Sequence, residues 1–257
     1  MKIVAIVPAH LASVRFPRKI LHPIYGLPMI EHVRRRALLC RGLEDVYVAT
    51  CDDEIAIAVE SHGGRVIPTS NTHTNGTSRV AEAVANLDCT HVILLQGDEP
   101  LLKPKDVEAM ISAMQAGDEA VAWNVTGPIA EPDELDRHSF VKCIVGPAQR
   151  ILFCFRRSPC FSRFEVQQGF TRKILGIIGY TKPFLEDLVA LPPSNVETAE
   201  FIEQMRIVEN GCFLRSVPVA ESLPSVNEPG ELKQVLDQLK TDKHQKSLLN
   251  LILATTG

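Results

Sequence analysis

Short apolar runs alternate with helical patterns through the first hundred residues, and no other feature of the sequence constrains the fold as strongly. The runs at residues 2–7 and 90–95 are nearly continuous and rich in β-branched side chains, which is typical of strands buried on both faces of a parallel sheet. Two shorter runs, at 45–50 and 65–68, lie among stretches with helical apolar spacing at 29–40, 52–61 and 78–87. This order predicts βαβ units in a doubly wound α/β sheet with mostly parallel strands.

The second half of the chain is less regular. Strand patterns fall at 119–125, 140–145, 151–155, 174–180 and 213–219, and helical patterns at 105–116, 184–191, 196–209 and 230–239. The pattern at 196–209 predicts one strongly amphipathic helix, and the tail beyond about residue 239 is expected to form a surface helix. The sequence contains no internal repeat and no stretch with the composition of an interdomain linker. The sequence therefore predicts a single domain over 1–257 with an inserted substrate-binding subregion around 120–215.

Composition argues against several classes of function. The net charge of −4 speaks against nucleic acid as a partner, because binding a phosphate backbone requires a dense basic surface. No apolar stretch is long enough to cross a bilayer, so no membrane partner is expected. The consecutive residues Arg34, Arg35 and Arg36 lie in a helical pattern, and we expect them to form a solvated helix face.

The seven cysteines are scattered along the chain and form no C-x-x-C pair. The sequence therefore predicts neither a zinc site nor a thioredoxin-type motif. Most of them lie in apolar contexts and are expected to pack as small core residues. Unpaired thiols suit a reducing compartment, and we expect the protein in the cytoplasm.

Chemistry in an open parallel sheet is expected beyond the carboxyl ends of the strands, where ligands bind in such folds. The loop at residues 8–19 follows the first strand, and it combines small residues that let a ligand approach the backbone with fixed cations. Backbone N–H groups together with cations suit a polyphosphate, and an exposed basic loop is the equally open alternative. The residues concerned are Pro8, Ala9, Ser13, Arg15, Arg18 and Lys19.

Two further strand ends carry polar segments. Residues 69–79 follow the third strand and lead into a helix whose first N–H groups are free to bind an anion, and an ordinary capped helix is the alternative. Residues 96–100 follow the fourth strand and contain Asp98. An aspartate at such a strand end is well placed to bind Mg²⁺ through one carboxylate, with phosphate and water completing the shell. A turn with two surface acids is the alternative there.

Together these segments resemble the 3-deoxy-manno-octulosonate (KDO) cytidylyltransferase family, whose members are also called CMP-KDO synthetases. The resemblance runs from the first strand to about residue 239, and residues 8–19, 75–79 and 96–100 carry it, with weaker support at 141–142, 176–180 and 203–206. It implies a Rossmann-like nucleotidyltransferase fold, with a mixed, mostly parallel sheet and helices on both faces. It also implies a homodimer, Mg²⁺ as cofactor, CTP as substrate and a place in lipopolysaccharide biosynthesis.

The resemblance implies roles for particular residues. Arg15 and Lys19 are expected to contact the triphosphate, and Asp98 to bind Mg²⁺. The nucleotide is expected to contact Pro8, Ala9, His10, Ser13, Asn75, Gly76, Thr77, Arg79 and Gln96. In the subregion around 120–215, which is also expected to form the dimer, Lys142, Arg157, Glu203 and Gln204 are expected near the sugar acid. The implied reaction joins the anomeric hydroxyl of that acid to the α-phosphorus of CTP and releases pyrophosphate.

The sequence departs from the family at several positions. His10 stands where the family has arginine, so a permanent cation is replaced by a side chain that is mostly neutral near pH 7. Asn227 stands where the family has an aspartate that binds metal. It offers a carbonyl oxygen without charge, which weakens a second metal site. Lys173 and Ile174 stand where the family has an Arg-His pair, and residues 158–164 also differ from the family. Both of these departures lie in the expected sugar pocket.

These departures leave three alternatives open. The changed sugar pocket is compatible with a different acidic substrate, such as another ulosonic acid, a nonulosonate or a phosphonate. The loss of charge at His10 and Asn227 is compatible with a catalytically weak homologue that binds nucleotide. A purely structural or interaction protein is the third alternative, and the cations and the carboxylate at the strand ends argue against it.

Overall fold

The computed structural model describes residues 1–117 and 119–254. These residues divide into two compact units. The first unit contains Met1–Glu108 and the segment from Leu223 onward, and the second contains Ala109–Ser222.

The strands are numbered in chain order. In the first unit they are β1 (Ile3–Ala9), β2 (Pro23–Ile24), β3 (Leu27–Pro28), β4 (Asp45–Thr50), β5 (Arg65–Pro68) and β6 (His91–Leu95). In the second unit they are β7 (Ala122–Gly127), β8 (Lys142–Val145), β9 (Ile151–Phe155), β10 (Thr171–Thr181) and β11 (Leu214–Pro218).

The helices are numbered in the same way. They are α1 (Met29–Leu38), α2 (Asp53–Glu60), α3 (Gly76–Val84), α4 (Pro104–Gln115), α5 (Phe164–Gln167), α6 (Lys182–Ala190), α7 (Asn195–Glu200), α8 (Gln204–Glu209), α9 (Leu232–Thr241) and α10 (Lys243–Ala254). Short 3-10 helices occupy Lys19–Leu21, Pro132–Leu135, Pro147–Gln149 and Pro229–Glu231. The first unit holds α1 to α3, α9 and α10, the second holds α5 to α8, and the chain passes from one unit to the other within α4.

The first unit is built on four parallel strands in the order β6-β1-β4-β5, and β2 and β3 form a separate hairpin. All seven residues of β1 are buried, as expected for a continuous apolar strand in the middle of a parallel sheet. Ala9 of β1 pairs with Thr50 of β4, and Ile6 of β1 pairs with Leu94 of β6. The carboxyl ends of these three strands therefore lie side by side, and the βαβ units predicted for this part of the chain are confirmed.

The second unit has a mixed sheet. β7 pairs in parallel with β11 and in antiparallel with β10, and β8 pairs in antiparallel with both β10 and β9. The pairing of β10 with β7 shifts register between Ile174 and Ile178, which marks a β-bulge. Asn124 of β7 is fully buried and its amide donates to the carbonyls of Leu175 and Ile177 inside this bulge.

The run of three arginines is buried, and the prediction of a solvated face was wrong. Arg34 and Arg35 share the carboxylate of Glu31 on the same helix, with N–O distances of 2.6 and 3.0 Å. Arg36 is fully buried and donates to the side-chain oxygen of Gln245 in α10 at 2.8 Å. The sequence does not show which segment covers this face of α1. A run of three arginines therefore has the same sequence pattern whether it is exposed to solvent or buried in a network of hydrogen bonds.

The helix predicted for the tail is confirmed, and it lies at the surface with one face buried. α10 buries Gln245, Leu248, Leu249 and Ile252. The carbonyl of Ile252 accepts a hydrogen bond from Arg35 at 2.7 Å, close to the negative end of the helix dipole where a cation is favourable. The tail is therefore a packed part of the first unit.

The predicted single helix at residues 196–209 is divided into α7 and α8. Phe201 ends α7 in the left-handed region, with φ of 56°, a conformation that costs energy for a residue with a Cβ. The break lets Glu209 accept from the first amides of α7 and lets Arg206 form a two-pronged ion pair with Glu197. In one continuous helix, a separation of nine or more residues would place such partners about 13 Å or more apart along the axis.

The cysteines are all free, with Cys89, Cys143 and Cys154 buried and the other four half-buried. Among the described residues, no group of three or more histidine, cysteine or acidic side chains is arranged to hold a metal. No helix in the described ranges has the length and apolar character required to span a membrane.

Candidate active site

A cleft of about 450 Å³ lies in the first unit, beyond the carboxyl ends of the parallel strands. The loops after β1, β4 and β6 meet there because those strands end side by side, which is the place that the strand-end argument predicts. The predicted site residues that line the cleft are Pro8, Ala9, His10, Ser13, Lys19, Asn75, Gly76, Arg79, Gln96 and Asp98. Arg15, Thr77 and Asn227 lie outside this lining.

Lys19 and Asp98 form an ion pair in the cleft, with Nζ 2.6 Å from Oδ2. Their side chains are only 12% and 21% exposed, so the charges are less screened than those of a surface pair. Lys19 Nζ also donates to the carbonyl of Val226 at 3.0 Å, and the Val226 N–H donates to the carbonyl of Asp98 at 2.9 Å. The loop after β1, the turn after β6 and the segment before α9 therefore meet at one point.

Arg15 lies on the flank of this point. Its Nη2 donates to the side-chain oxygen of Asn227 at 3.4 Å, and its Nη1 is 3.7 Å from Glu228 Oε1. The side chain is 56% exposed. Because Asn227 directly follows Val226, Arg15 is adjacent to the Lys19–Asp98 pair, although it does not line the cleft.

The N-terminus of α3 forms a second wall of the cleft. Asn75 caps the helix, since its side-chain oxygen accepts from the Ser78 N–H at 2.8 Å. A Cβ at Gly76 would lie 3.2 Å from the Cγ of Pro8, so the missing side chain allows α3 to approach the end of β1 closely. The first turn of α3 thus borders the same space as the loop after β1.

Arg79 adds a buried cation to this wall. It is 3% exposed, and its Nη1 donates to Thr69 Oγ1 at 2.6 Å and to the Ser70 carbonyl at 3.2 Å. These bonds connect α3 to the loop that follows β5. The guanidinium contributes positive potential to the cleft.

His10 also lines the cleft. Burial lowers its pKa, and the charge of Arg79 lowers it further, while Asp52 acts in the opposite direction. A histidine with a pKa below the usual 6.5 is uncharged near pH 7. The fixed cations of the cleft are therefore Lys19 and Arg79.

Cys51 and Asp52 line the cleft but were not singled out in the sequence. Asp52 accepts the Leu11 N–H at 2.9 Å and holds the loop after β1 against the end of β4. The strand-end argument could have identified it, because Cys51 and Asp52 directly follow β4. Asn71 and His73 also line the cleft.

His73 is fixed by two side chains. Its Nδ1 lies 3.0 Å from Ser78 Oγ, and its Nε2 contacts the carboxylate of Glu82. The hydrogen bond from His73 lowers the pKa of Glu82, as does the backbone N–H of Ser70. This network holds the loop after β5 in place.

The four residues expected near the sugar acid lie in the second unit. Lys142 is fully buried, and its Nζ donates to the carbonyls of Arg137, at 2.7 Å, and Arg156. Burial lowers the pKa of Lys142 to about 8, and the charge of Arg156 contributes. These two carbonyls accept from two of the three N–H groups of the ammonium.

The other three residues differ in their surroundings. Gln204 is buried, and its amide donates to the side-chain oxygen of Asn124 at 3.0 Å, which links it to the bulge in β10. Glu203 is half-buried at the start of α8. Arg157 is exposed, and its Nε lies 3.3 Å from Asp136 Oδ1.

Comparison with known proteins identifies relatives along most of the chain. The model of the cytidylyltransferase family matches residues 4–221. The 3-deoxy-manno-octulosonate cytidylyltransferase of Geobacter sulfurreducens is 36% identical over 251 residues, covering 93% of this chain and 100% of the relative. The 8-amino-3,8-dideoxy-manno-octulosonate cytidylyltransferase of Shewanella frigidimarina is 37% identical over 246 residues, covering 94% and 100%.

Solved structures agree with this assignment. The structure of CMP:2-keto-3-deoxy-manno-octonic acid synthetase in complex with CTP has a TM-score of 0.88 at 34% identity, covering 94% of this chain and 100% of the other. The inositol-1-phosphate CTP transferase of T. maritima, at 16% identity, shares the fold with a TM-score of 0.67, over 100% of this chain and 98% of the other. These matches confirm the predicted Rossmann-like α/β fold with a mixed, mostly parallel sheet. From the family match and the identities together, we conclude that the chain belongs to the cytidylyltransferase family.

Proposed function

We propose that this chain transfers CMP from CTP to the anomeric hydroxyl of an acidic sugar, KDO or a related ulosonic acid, and releases pyrophosphate. The observation that carries the proposal is the Lys19–Asp98 pair in the cleft of the first unit, where the segments after β1 and β6 meet. The names of the relatives support the choice of nucleotide and sugar, because they act on KDO or its 8-amino analogue and a solved relative holds CTP.

The triphosphate is the ligand that best matches the charges of the cleft. Lys19 and Arg79 supply fixed cations, and the first turn of α3 supplies backbone N–H groups near the positive end of the helix dipole. An incoming phosphate offers Lys19 a second anionic partner beside Asp98. Arg15, on the flank, is more than half exposed and free to turn towards the outer phosphates.

The reaction is a substitution at phosphorus. The anomeric oxygen forms a bond to the α-phosphorus of CTP, and the bond from that phosphorus to the oxygen bridging to the β-phosphate breaks. Pyrophosphate leaves with the bridging oxygen, and the hydroxyl proton passes to water. Lys19 and Arg15 stabilise the charge that develops on pyrophosphate, which is how positioning and electrostatics accelerate phosphoryl-type transfers.

The residues in the cleft fit Mg²⁺ as a cofactor. Magnesium sites next to phosphates usually contain one or two carboxylates, with phosphate and water oxygens completing the shell. Asp98, in the cleft, supplies one carboxylate, and Asn227, outside the cleft lining but next to Val226, supplies a neutral oxygen. Bound there, Mg²⁺ would neutralise phosphate charge and acidify the attacking hydroxyl.

The sugar acid is assigned to residues of the second unit. Lys142 and Arg157 are cations that suit a carboxylate, and Glu203 and Gln204 suit hydroxyl groups. Arg157 is the exposed member of this set and Glu203 is half-buried, whereas Lys142 and Gln204 are buried and bonded within their own unit.

We further propose a homodimer in the cytoplasm, supplying an activated sugar for lipopolysaccharide biosynthesis. The second unit exposes large apolar side chains, with Phe161 fully exposed and Phe201 82% exposed. Leu152 and Val166 of the same unit are also exposed. Sedimentation of the purified protein tests the dimer, and replacing Phe161 and Phe201 with serine should shift it towards the monomer.

A pyrophosphate-release assay tests the proposed reaction. The four ribonucleoside triphosphates are each combined with KDO, 8-amino-3,8-dideoxy-manno-octulosonate, a nonulosonate and a phosphonate, with Mg²⁺ or with EDTA. We expect turnover with CTP and one of the two octulosonates, and none in EDTA. Turnover with CTP and only the nonulosonate or the phosphonate would establish the first alternative substrate class.

The same assay separates the remaining alternatives. Binding of CTP without pyrophosphate release from any acid would identify a catalytically weak homologue. Failure to bind any nucleotide would contradict the proposed function and favour an interaction protein.

A further inference from the structure

We propose that Gln245 of α10 is a positioning residue for Asp98, because it holds the turn that carries the Asp98 carboxylate. The inference rests on the proposed function, in which Asp98 acts at the triphosphate. Gln245 itself does not line the cleft. Its effect on the reaction is transmitted through the backbone of residues 98–102.

The turn at residues 98–102 is held by donors from three other segments. Its own closing bond is short-range, from the Leu102 N–H to the Glu99 carbonyl at 3.0 Å. Three further hydrogen bonds to its backbone oxygens come from elsewhere in the first unit. The carbonyls of Asp98, Leu101 and Leu102 accept from the Val226 N–H at 2.9 Å, from Gln245 Nε2 at 3.0 Å and from Arg36 Nη1 at 3.1 Å.

Gln245 occupies the centre of this arrangement. It is fully buried, and its side-chain oxygen accepts from Arg36 Nη1 at 2.8 Å while its amide nitrogen donates to the carbonyl of Leu101. An amide is suited to this position because it offers a donor and an acceptor at once. An ionised carboxylate would keep the acceptor for Arg36 but lose the donor for Leu101.

Arg36 depends on Gln245 for its side-chain partner. The guanidinium is fully buried, and its Nε and Nη2 have no hydrogen-bond partner among the described residues. Burial lowers the pKa of Arg36 to about 10. A carboxylate at position 245 would therefore be a favourable neighbour for Arg36, even though it would leave the Leu101 carbonyl without its donor.

Apolar packing directs α10 to the same turn. Leu249 and Ile252 of α10 belong to one buried hydrophobic cluster with Leu101 and Val226. Leu101 is part of the turn, and Val226 is the residue that bridges Lys19 and Asp98. The hydrogen bond from Gln245 and the packing of α10 therefore act on the same few residues.

A small displacement of the turn is enough to change the reaction. A misplacement of about 1 Å in a catalytic group can reduce the rate by about 100-fold, because the reacting atoms no longer align. The Asp98 carboxylate is on the same short turn as the Leu101 carbonyl. Loss of the Gln245 donor should therefore lower kcat while leaving the fold intact.

Gln245→Glu tests the proposal, with Asn250→Asp as the matched control. Both variants change an amide to a carboxylate on α10, but Asn250 is exposed. We expect Gln245→Glu to lower kcat at least tenfold and to raise the Mg²⁺ concentration for half-maximal rate. KM for the sugar acid should stay within about twofold, and the thermal midpoint should stay within a few degrees of wild type. Asn250→Asp should match the wild type in all four quantities.

Gln245→Leu separates positioning from stability. It removes the donor to Leu101 and also the acceptor for Arg36, so it should lower the thermal midpoint as well as kcat. If Gln245→Glu turns over CTP at the wild-type rate, with the wild-type Mg²⁺ dependence, Gln245 is a structural residue only and the proposal is wrong. A wild-type protein without turnover in the parallel reaction would instead contradict the proposed function.

Discussion

Asp98 is the residue on whose carboxylate the proposed chemistry depends. Asp98→Asn keeps the size of the side chain but removes its charge, so Lys19 loses its anionic partner and Mg²⁺ loses its carboxylate. We expect the rate of pyrophosphate release to fall by about 100-fold or more, with the thermal midpoint little changed. Asp88→Asn, in an exposed pair with Lys2, is the control. Native turnover by Asp98→Asn would show that the metal assignment is wrong.

His10 makes a separate prediction about pH. Burial and Arg79 lower its pKa, so the side chain gains its proton, and a positive charge beside the phosphates, only as the pH falls below the usual 6.5. His10→Arg carries that charge at every pH. We expect the variant to bind CTP about fivefold more tightly at pH 8, as for one added ion pair of about 1 kcal/mol, and to lose part of this advantage at pH 6. Titration calorimetry at the two pH values measures this, and a constant ratio of affinities would contradict the role of His10.

At the scale of helices and strands, the sequence was sufficient to predict those features that depend on a local pattern of residues. The continuous apolar run that became β1 and the strand-end position of Asp98 were both predictable, because burial on two faces and ligand binding at strand ends follow from the parallel sheet itself. The division between α7 and α8 was not, since it depends on Glu209 folding back to cap α7. The hydrogen bond between Arg36 and Gln245 could not be predicted either, because a contact between residues 209 positions apart leaves no periodic pattern in the sequence.

The packing of α10 makes a prediction about stability. Ile252 is fully buried in the cluster with Leu101 and Val226. Ile252→Ala should reduce the free energy of unfolding by about 3 kcal/mol, since it removes apolar contacts and leaves a cavity. Leu253→Ala, at a residue that is 41% exposed, should change it by about 0.5 kcal/mol or less. Urea unfolding of both variants measures these changes, and equal effects would mean that the buried face of α10 contributes little to stability.

For the whole molecule, histidines whose pKa is lowered predict a loss of stability in acid. Burial lowers the pKa of His10, His32 and His91, and that of His32 falls from 6.5 to about 4. Above pH 6.5 His32 is neutral in both the folded and the unfolded chain and has no effect. As the pH falls from 6.5 towards 4 the unfolded chain binds the proton first, so folding loses up to about 3 kcal/mol from this residue.

The variant His32→Gln tests this contribution. Glutamine keeps a donor for the Ile24 carbonyl, which His32 Nε2 contacts at 2.8 Å, but it does not titrate. Free energies of unfolding measured in urea between pH 7.5 and 5 should fall less steeply for the variant than for the wild type. Parallel curves would show that His32 is not the source of the acid sensitivity.

The central claim is that the cations and the acid of this cleft act on one triphosphate, and titration of Lys19→Met with CTP and Mg²⁺ tests it most directly. Lys19 Nζ contacts Asp98 and Val226 at the meeting point of three segments, whereas Arg150 is exposed in the second unit and serves as the control in Arg150→Met. We predict that Kd for CTP rises at least tenfold in Lys19→Met and is unchanged in Arg150→Met. Wild-type affinity in Lys19→Met would contradict the account.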